Sequence, residues 1–128
     1  MEETKRVSLS RAQREIVKAK YDGRCAYCGE ILKAMHVDHL IPIARAHMHR
    51  GVEVNCLENL MPSCPSCNNY KMSFDLEGFR RELERQVERG RTHSLNFRLA
   101  ERFGLIKVIE TKVEFYFEKR RKSGESEK

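Results

Sequence analysis

"KAMHVDHLIPI" (residues 33–43) sets His36, Asp38 and His39 within four positions and then runs into apolar residues and a proline. The chain has only five histidines, so two of them flanking one carboxylate at the mouth of a hydrophobic run is a concentration of chemistry. In an extended segment alternate side chains share a face. His36 and Asp38 are then expected on one side, and Val37 and His39 on the other. Ionisable groups on both faces of a short strand suit a small cleft, closed by a second strand and a helix N-terminus, better than they suit a core.

The segment "CPSCNNYK" (residues 64–71) can supply that helix. Pro65 fits the first helical turn, where its missing N–H is no loss. Cys64 and Cys67, three apart, face one point together. With "CAYC" (Cys25, Cys28) they make two pairs, each with the two-residue spacer that lets both sulfurs reach one tetrahedral ion. The fifth cysteine, Cys56, reads as a small buried hydrophobe. Asn68 lies about 100° further round the helix from Cys67. Its amide oxygen and the Asp38 carboxylate suit a hard cation such as magnesium.

Composition agrees with a stapled fold. The chain has 128 residues, 40% of them apolar, and no Trp, which leaves a small core in want of a metal or a disulfide. A net charge of +6 permits a polyanionic partner without demanding one. No apolar run is long enough to cross a bilayer. "MEETKRVSLSRAQREI" lacks the apolar stretch of a secretory signal, so a reducing cytoplasm is expected, where paired cysteines hold metal.

Along the chain, residues 1–9 are expected to be disordered. "SRAQREIVKAKYDG" reads as a helix with a Ser10–Gln13 capping box, stopped at Asp22-Gly23. The first cysteine pair, with Gly29 behind it, forms a knuckle, and two short extended segments follow, the second holding the His-Asp-His cluster. Residues 44–56 read as a loop, with His47 and His49 on its surface. A helix is expected from Asp75 to about Arg89, closed by Gly90, with Arg81, Arg85 and Arg89 as a row able to meet phosphates. A further helix has Ser94 as cap, with Leu95, Leu99 and Phe103 inward and Gly104 as stop. "LIKVI" and "KVEFYFE" alternate as a strand pair, and residues 118–128 form a charged, disordered tail. One domain is expected over residues 10–117, with its core at 24–74 and an extension at 75–117.

"CAYCGE", "HVDHLIPI" and "ENLMPSCPSCNNYK" together resemble the HNH endonucleases, over residues 24–74. The resemblance implies an α+β fold: a ββα-metal, treble-clef-like core stapled by a four-cysteine zinc site and flanked by helices. It makes Cys25, Cys28, Cys64 and Cys67 the ligands of structural Zn2+, and Asp38 and Asn68 those of a catalytic Mg2+ or Mn2+. His39 becomes the general base and Asn59 the brace that holds its loop and ring. Lys71 takes a position commonly basic in the family, able to approach a phosphate. His36 is left between a place in the metal shell and a packing role. The activity implied is metal-dependent DNA hydrolysis, nicking as a monomer. DNA is the implied partner, duplex first, in a bacterial or phage-infected cell. A double-strand break needs two copies or two visits. Sequence specificity is low or depends on a partner protein, with a homodimer as the other association. The alternative is a nucleic-acid- or protein-binding regulator on the same zinc scaffold with little or no catalysis.

Overall fold

The computed structural model describes residues 8–49 and 51–123. The disorder expected for residues 1–7 and 124–128 lies outside them. The described elements are α1 (Arg11–Ala19), β1 (His36–His39), a 3-10 turn (Ile43–Met48), a second (Leu57–Asn59), β2 (Leu60–Ser63), α2 (Pro65–Lys71), α3 (Leu76–Glu84), α4 (Gln86–His93), α5 (Leu95–Arg102) and α6 (Tyr116–Lys122). Among the described residues no helix is long and apolar enough to cross a membrane. The chain groups into two compact units. One runs to Leu76 and resumes at Glu114, and the other is Glu77–Val113.

In the first unit β1 and β2 pair antiparallel, His36 opposite Ser63 and His39 opposite Leu60. All four β2 residues are buried, and neighbours satisfy the strand's outer carbonyls. The Ala26 amide donates to Pro62 O at 2.8 Å, and the Lys20 ammonium donates to Leu60 O at 2.6 Å. Lys20 stands at the end of α1, whose Ser10–Gln13 capping box is complete and whose Val17 is wholly buried. Burial holds the Lys20 pKa below its ordinary value.

The C-terminal part of this unit differs from the sequence expectation. There is no strand pair over 105–117 among the described residues, and residues 118–122 belong to α6 rather than to a disordered tail. The alternation of "KVEFYFE" has another cause. Phe115 and Phe117 are almost fully buried, each edge-on to the Tyr27 ring, at 5.6 and 6.3 Å between centroids. The Tyr116 and Phe117 amides donate to Tyr27 O and Ala26 O, at 3.0 and 2.9 Å. The segment therefore docks on the knuckle's backbone instead of on a neighbouring strand. Glu118 caps α6 by accepting from the Phe115 amide, and Arg120 lies over the Tyr21 and Tyr116 rings. Gly29, at φ +81°, faces the Tyr116 ring at 3.1 Å from where a Cβ would stand.

The second unit also departs from expectation. The helix expected over 75–89 breaks at Arg85 into α3 and α4, so Arg81, Arg85 and Arg89 form no continuous row. Gly90 does not close a helix; it lies inside α4, where a Cβ would meet the Phe97 ring at 2.8 Å. Ser94 caps α5 as expected, accepting from the Phe97 amide. The face of α5 that meets α4 is the Phe97 face. Leu95 and Phe103, expected inward, are 56% and 76% exposed.

Gly90→Ala tests this packing. Helix propensity alone would stabilise by up to about 1 kcal/mol, but the contact is with the root of an aromatic ring. The substitution is expected to lower the melting temperature in the wild type and to raise it in a Phe97→Ala background.

Candidate active site and four-thiol metal centre

The sulfurs of Cys25, Cys28, Cys64 and Cys67 all lie within 4.8 Å of one another, with Cys28 and Cys64 3.9 Å apart. Four sulfurs about 2.3 Å from one tetrahedral ion would stand about 3.8 Å apart. The cluster fits zinc or a similar thiophilic metal. Local structure aims it: the knuckle turns Cys25 and Cys28 inward, and Cys64 is the N-cap of α2, its sulfur accepting from the Cys67 amide at 3.4 Å. As bare thiols, Cys25, Cys28 and Cys67 do not ionise together. Hydrogen bonding from Cys67 holds Cys25 down to about 4, the same contact pushes Cys67 far up, and burial raises Cys28 to about 11. A divalent cation removes that conflict by accepting the thiolates' charge. Cys56 stands apart, half-buried rather than a core residue.

Beside the thiols is a polar cleft. Asp38, His39 and Asn68 line a cavity of about 310 Å3, and His36, His39, Asn55 and Asn68 line a neighbouring one of about 390 Å3. Strict alternation along β1 would separate Asp38 from His39. Both reach the first cavity because the strand ends at His39, and Leu40 turns to donate its amide to Asn59 O at 2.9 Å.

Asp38 is 7% exposed, and one of its carboxylate oxygens is held twice. The Tyr27 hydroxyl donates to Oδ2 at 2.6 Å, and the Lys71 ammonium lies 3.0 Å from it. Burial, and then the Asp38 charge, push the Tyr27 pKa far up, so the phenol stays a donor. Lys71 is wholly buried and also donates to His39 O at 3.0 Å. Its expected approach to a phosphate is therefore corrected, because a buried ammonium closed in by Asp38 has no reach to solvent. Asn59 braces the loop: its amide accepts from Ile41 N at 2.8 Å and donates to Val54 O at 2.7 Å. The His39 ring is held instead by Asn55, with Nε2 2.9 Å from Oδ1, while His39 Nδ1 is buried without a partner among the described residues. An orphaned buried nitrogen belongs to a site that something else completes.

The family model described as HNH endonuclease matches residues 25–74. This segment is an HNH endonuclease domain. Comparison with curated proteins and with solved structures finds no match. The HNH segment contains both cysteine pairs, both strands and Asp38, His39, Asn55 and Asn68 of the cleft, and a domain of this nuclease family implies nucleic acid as the substrate. Arg81 and Arg85 lie outside it, in the Glu77–Val113 unit. Arg85 sits 3.5 Å from the Glu82 carboxylate, which Arg89 holds at 2.7 Å. His47 is exposed and His49 half-buried at the end of the first 3-10 turn.

Two residues of the HNH site escaped sequence reasoning. Tyr27 looked like a spacer inside "CAYC", though a large aromatic in a two-residue zinc spacer is itself a signal that the knuckle packs on something. Asn55 gave no signal, since its part depends on how the loop folds back over His39.

Cys25→Ser is expected to abolish stoichiometric zinc and to melt the first unit, read by metal analysis and circular dichroism. Lys71→Met should cost about 3–5 kcal/mol in urea unfolding, because it strands a buried carboxylate. An unchanged midpoint would mean that the Asp38–Lys71 pair holds nothing together.

Proposed function

We propose that this protein is a metal-dependent endonuclease that hydrolyses DNA phosphodiester bonds, one strand at a time per chain. The observation that carries this reading is the convergence of Asp38, His39 and Asn68 on one cleft inside an HNH segment. Asp38 Oδ1 and the Asn68 amide oxygen would hold Mg2+ or Mn2+, and structural Zn2+ would sit on the four cysteines. When bound, the catalytic cation supplies Lewis-acid neutralisation of the scissile phosphate and the departing oxygen. His39 takes the proton of the attacking water, the water oxygen bonds to phosphorus, and the P–O3′ bond breaks. The products are a 5′-phosphate and a 3′-hydroxyl. Asn55 holds the His39 ring during this transfer, so its amide orientation and the ring tautomer are coupled.

Electrostatics support weak cation binding before substrate arrives. Lys71 offsets the charge of Asp38, and the remaining donor, Asn68, is neutral. DNA phosphate then supplies the missing negative charge, and Mn2+ substitutes well because oxygen donors leave most of its shell to water and phosphate. Exposed Arg85 is a candidate phosphate contact. We place the activity in the cytoplasm of a bacterial or phage-infected cell.

Supercoiled plasmid tests this. Wild type should give open circles in Mg2+ or Mn2+ and none in EDTA, and His39→Ala should slow nicking by about 10²–10⁴-fold. Equal cleavage by both proteins would remove His39 from the role of base, and none by either with zinc bound and the fold intact would sink the reading for duplex DNA and favour a binding module.

A further inference from the structure

His36 stands two residues before Asp38 on β1, and its Nδ1 lies 2.9 Å from Asn68 Nδ2. The two ends of a primary amide are close to the same shape but opposite in chemistry. The oxygen can ligate a hard cation, and the NH2 group, a donor, cannot. The thiol centre fixes where Asn68 begins, because Cys64 and Cys67 anchor the first turn of α2 and the Asn68 backbone N–H donates to Cys64 O at 2.9 Å. That anchorage leaves the rotation of the side-chain amide open. The hydrogen bond to His36 closes it.

Resting on the nuclease reading above, we propose that His36 is a positioning residue that turns the Asn68 amide so that its oxygen, not its nitrogen, faces the cation. A neutral imidazole bare at Nδ1 accepts from Nδ2 and leaves the Asn68 oxygen as the acceptor still to be used. The amide turned over would set its oxygen against the ring and leave its N–H groups as the end not engaged by His36, in the cavity that Asn68 lines with Asp38. Because Nδ1 is engaged by the amide, His36 is not itself a ligand through that atom. The same contact explains why a histidine belongs on this exposed position of β1, where a packing role would have buried it.

The test is a double-mutant cycle read by Mn2+ binding. The loss of the free-ion electron paramagnetic resonance signal is followed on the zinc-loaded full chain for wild type, His36→Ala, Asn68→Asp and the double variant. Zinc content and melting temperature serve as fold controls. His36→Ala is expected to weaken Mn2+ binding about tenfold or more. In the Asn68→Asp background the same substitution should cost nothing measurable, because a carboxylate presents oxygen whichever way it turns. His36→Gln should restore part of the loss through its amide oxygen. An equal loss in both backgrounds would overturn the proposal in favour of direct ligation by His36. No loss in the Asn68 background, with wild type binding Mn2+ and nicking DNA, would overturn it outright while leaving the nuclease reading intact. A wild type that neither takes up Mn2+ nor nicks would overturn both.

Discussion

Four sulfurs within 4.8 Å of one another oblige two pieces of chain, some forty residues apart, to share a point in space. Three polar groups of the cleft, Tyr27, Asn68 and Lys71, ride on the elements that carry those sulfurs. The knuckle between Cys25 and Cys28 carries Tyr27, whose hydroxyl fixes one oxygen of Asp38. The helix that starts at Cys64 carries Asn68 one residue beyond the second thiol, and Lys71 one turn on, under Asp38 and His39. A chain with no Trp and a thin core would not hold these groups to hydrogen-bond precision by apolar burial alone. The thiol site lets a small protein keep charged and polar residues nearly dry beside one another.

The part of the fold that was legible in the sequence is the part written in local chemistry. The cysteine pairs, Pro65 at a helix start, the Ser10–Gln13 box and the Ser94 cap each announce themselves through spacings of two to four residues, and each stands where it was expected. What was not legible depends on partners distant in sequence. Phe115 and Phe117 alternate as a strand would, but the surface they meet is Tyr27, almost ninety residues earlier. Gly90 looked like a stop because nothing local reveals that Phe97 needs the space. The side-chain partners inside the cleft follow the same division. Asp38, His39 and Asn68 were marked by motif, whereas the Asn55 contact to His39 and the burial of Lys71 exist only once the loop and α2 have closed over β1.

Lys71 shows how one buried ion pair can set both stability and chemistry. An ammonium beside the carboxylate removes the strong anionic field that would hold a divalent cation permanently. It also leaves Asp38 with an opposite charge at 3.0 Å in a place nearly closed to water. The second oxygen of the carboxylate is left with local geometry but little net charge behind it. In the proposed nuclease a cation would then gain most of its attraction from the phosphate that enters with it, which would tie occupancy of the metal site to occupancy of the substrate site.

The docking of Tyr116 and Phe117 on the backbone of Ala26 and Tyr27 has a consequence for how the molecule comes into being. The unit that holds the cleft is discontinuous, with Glu77–Val113 emerging from the ribosome between its two parts. Until residues beyond Val113 have been synthesised, Tyr27 lacks the two rings that pack its flanks, and Asp38 depends on a phenol not yet held in place. Assembly of the cleft is thereby deferred until the residues beyond Val113 have been made. A nascent or truncated chain can gather its four thiols while the cleft beside them is still loose.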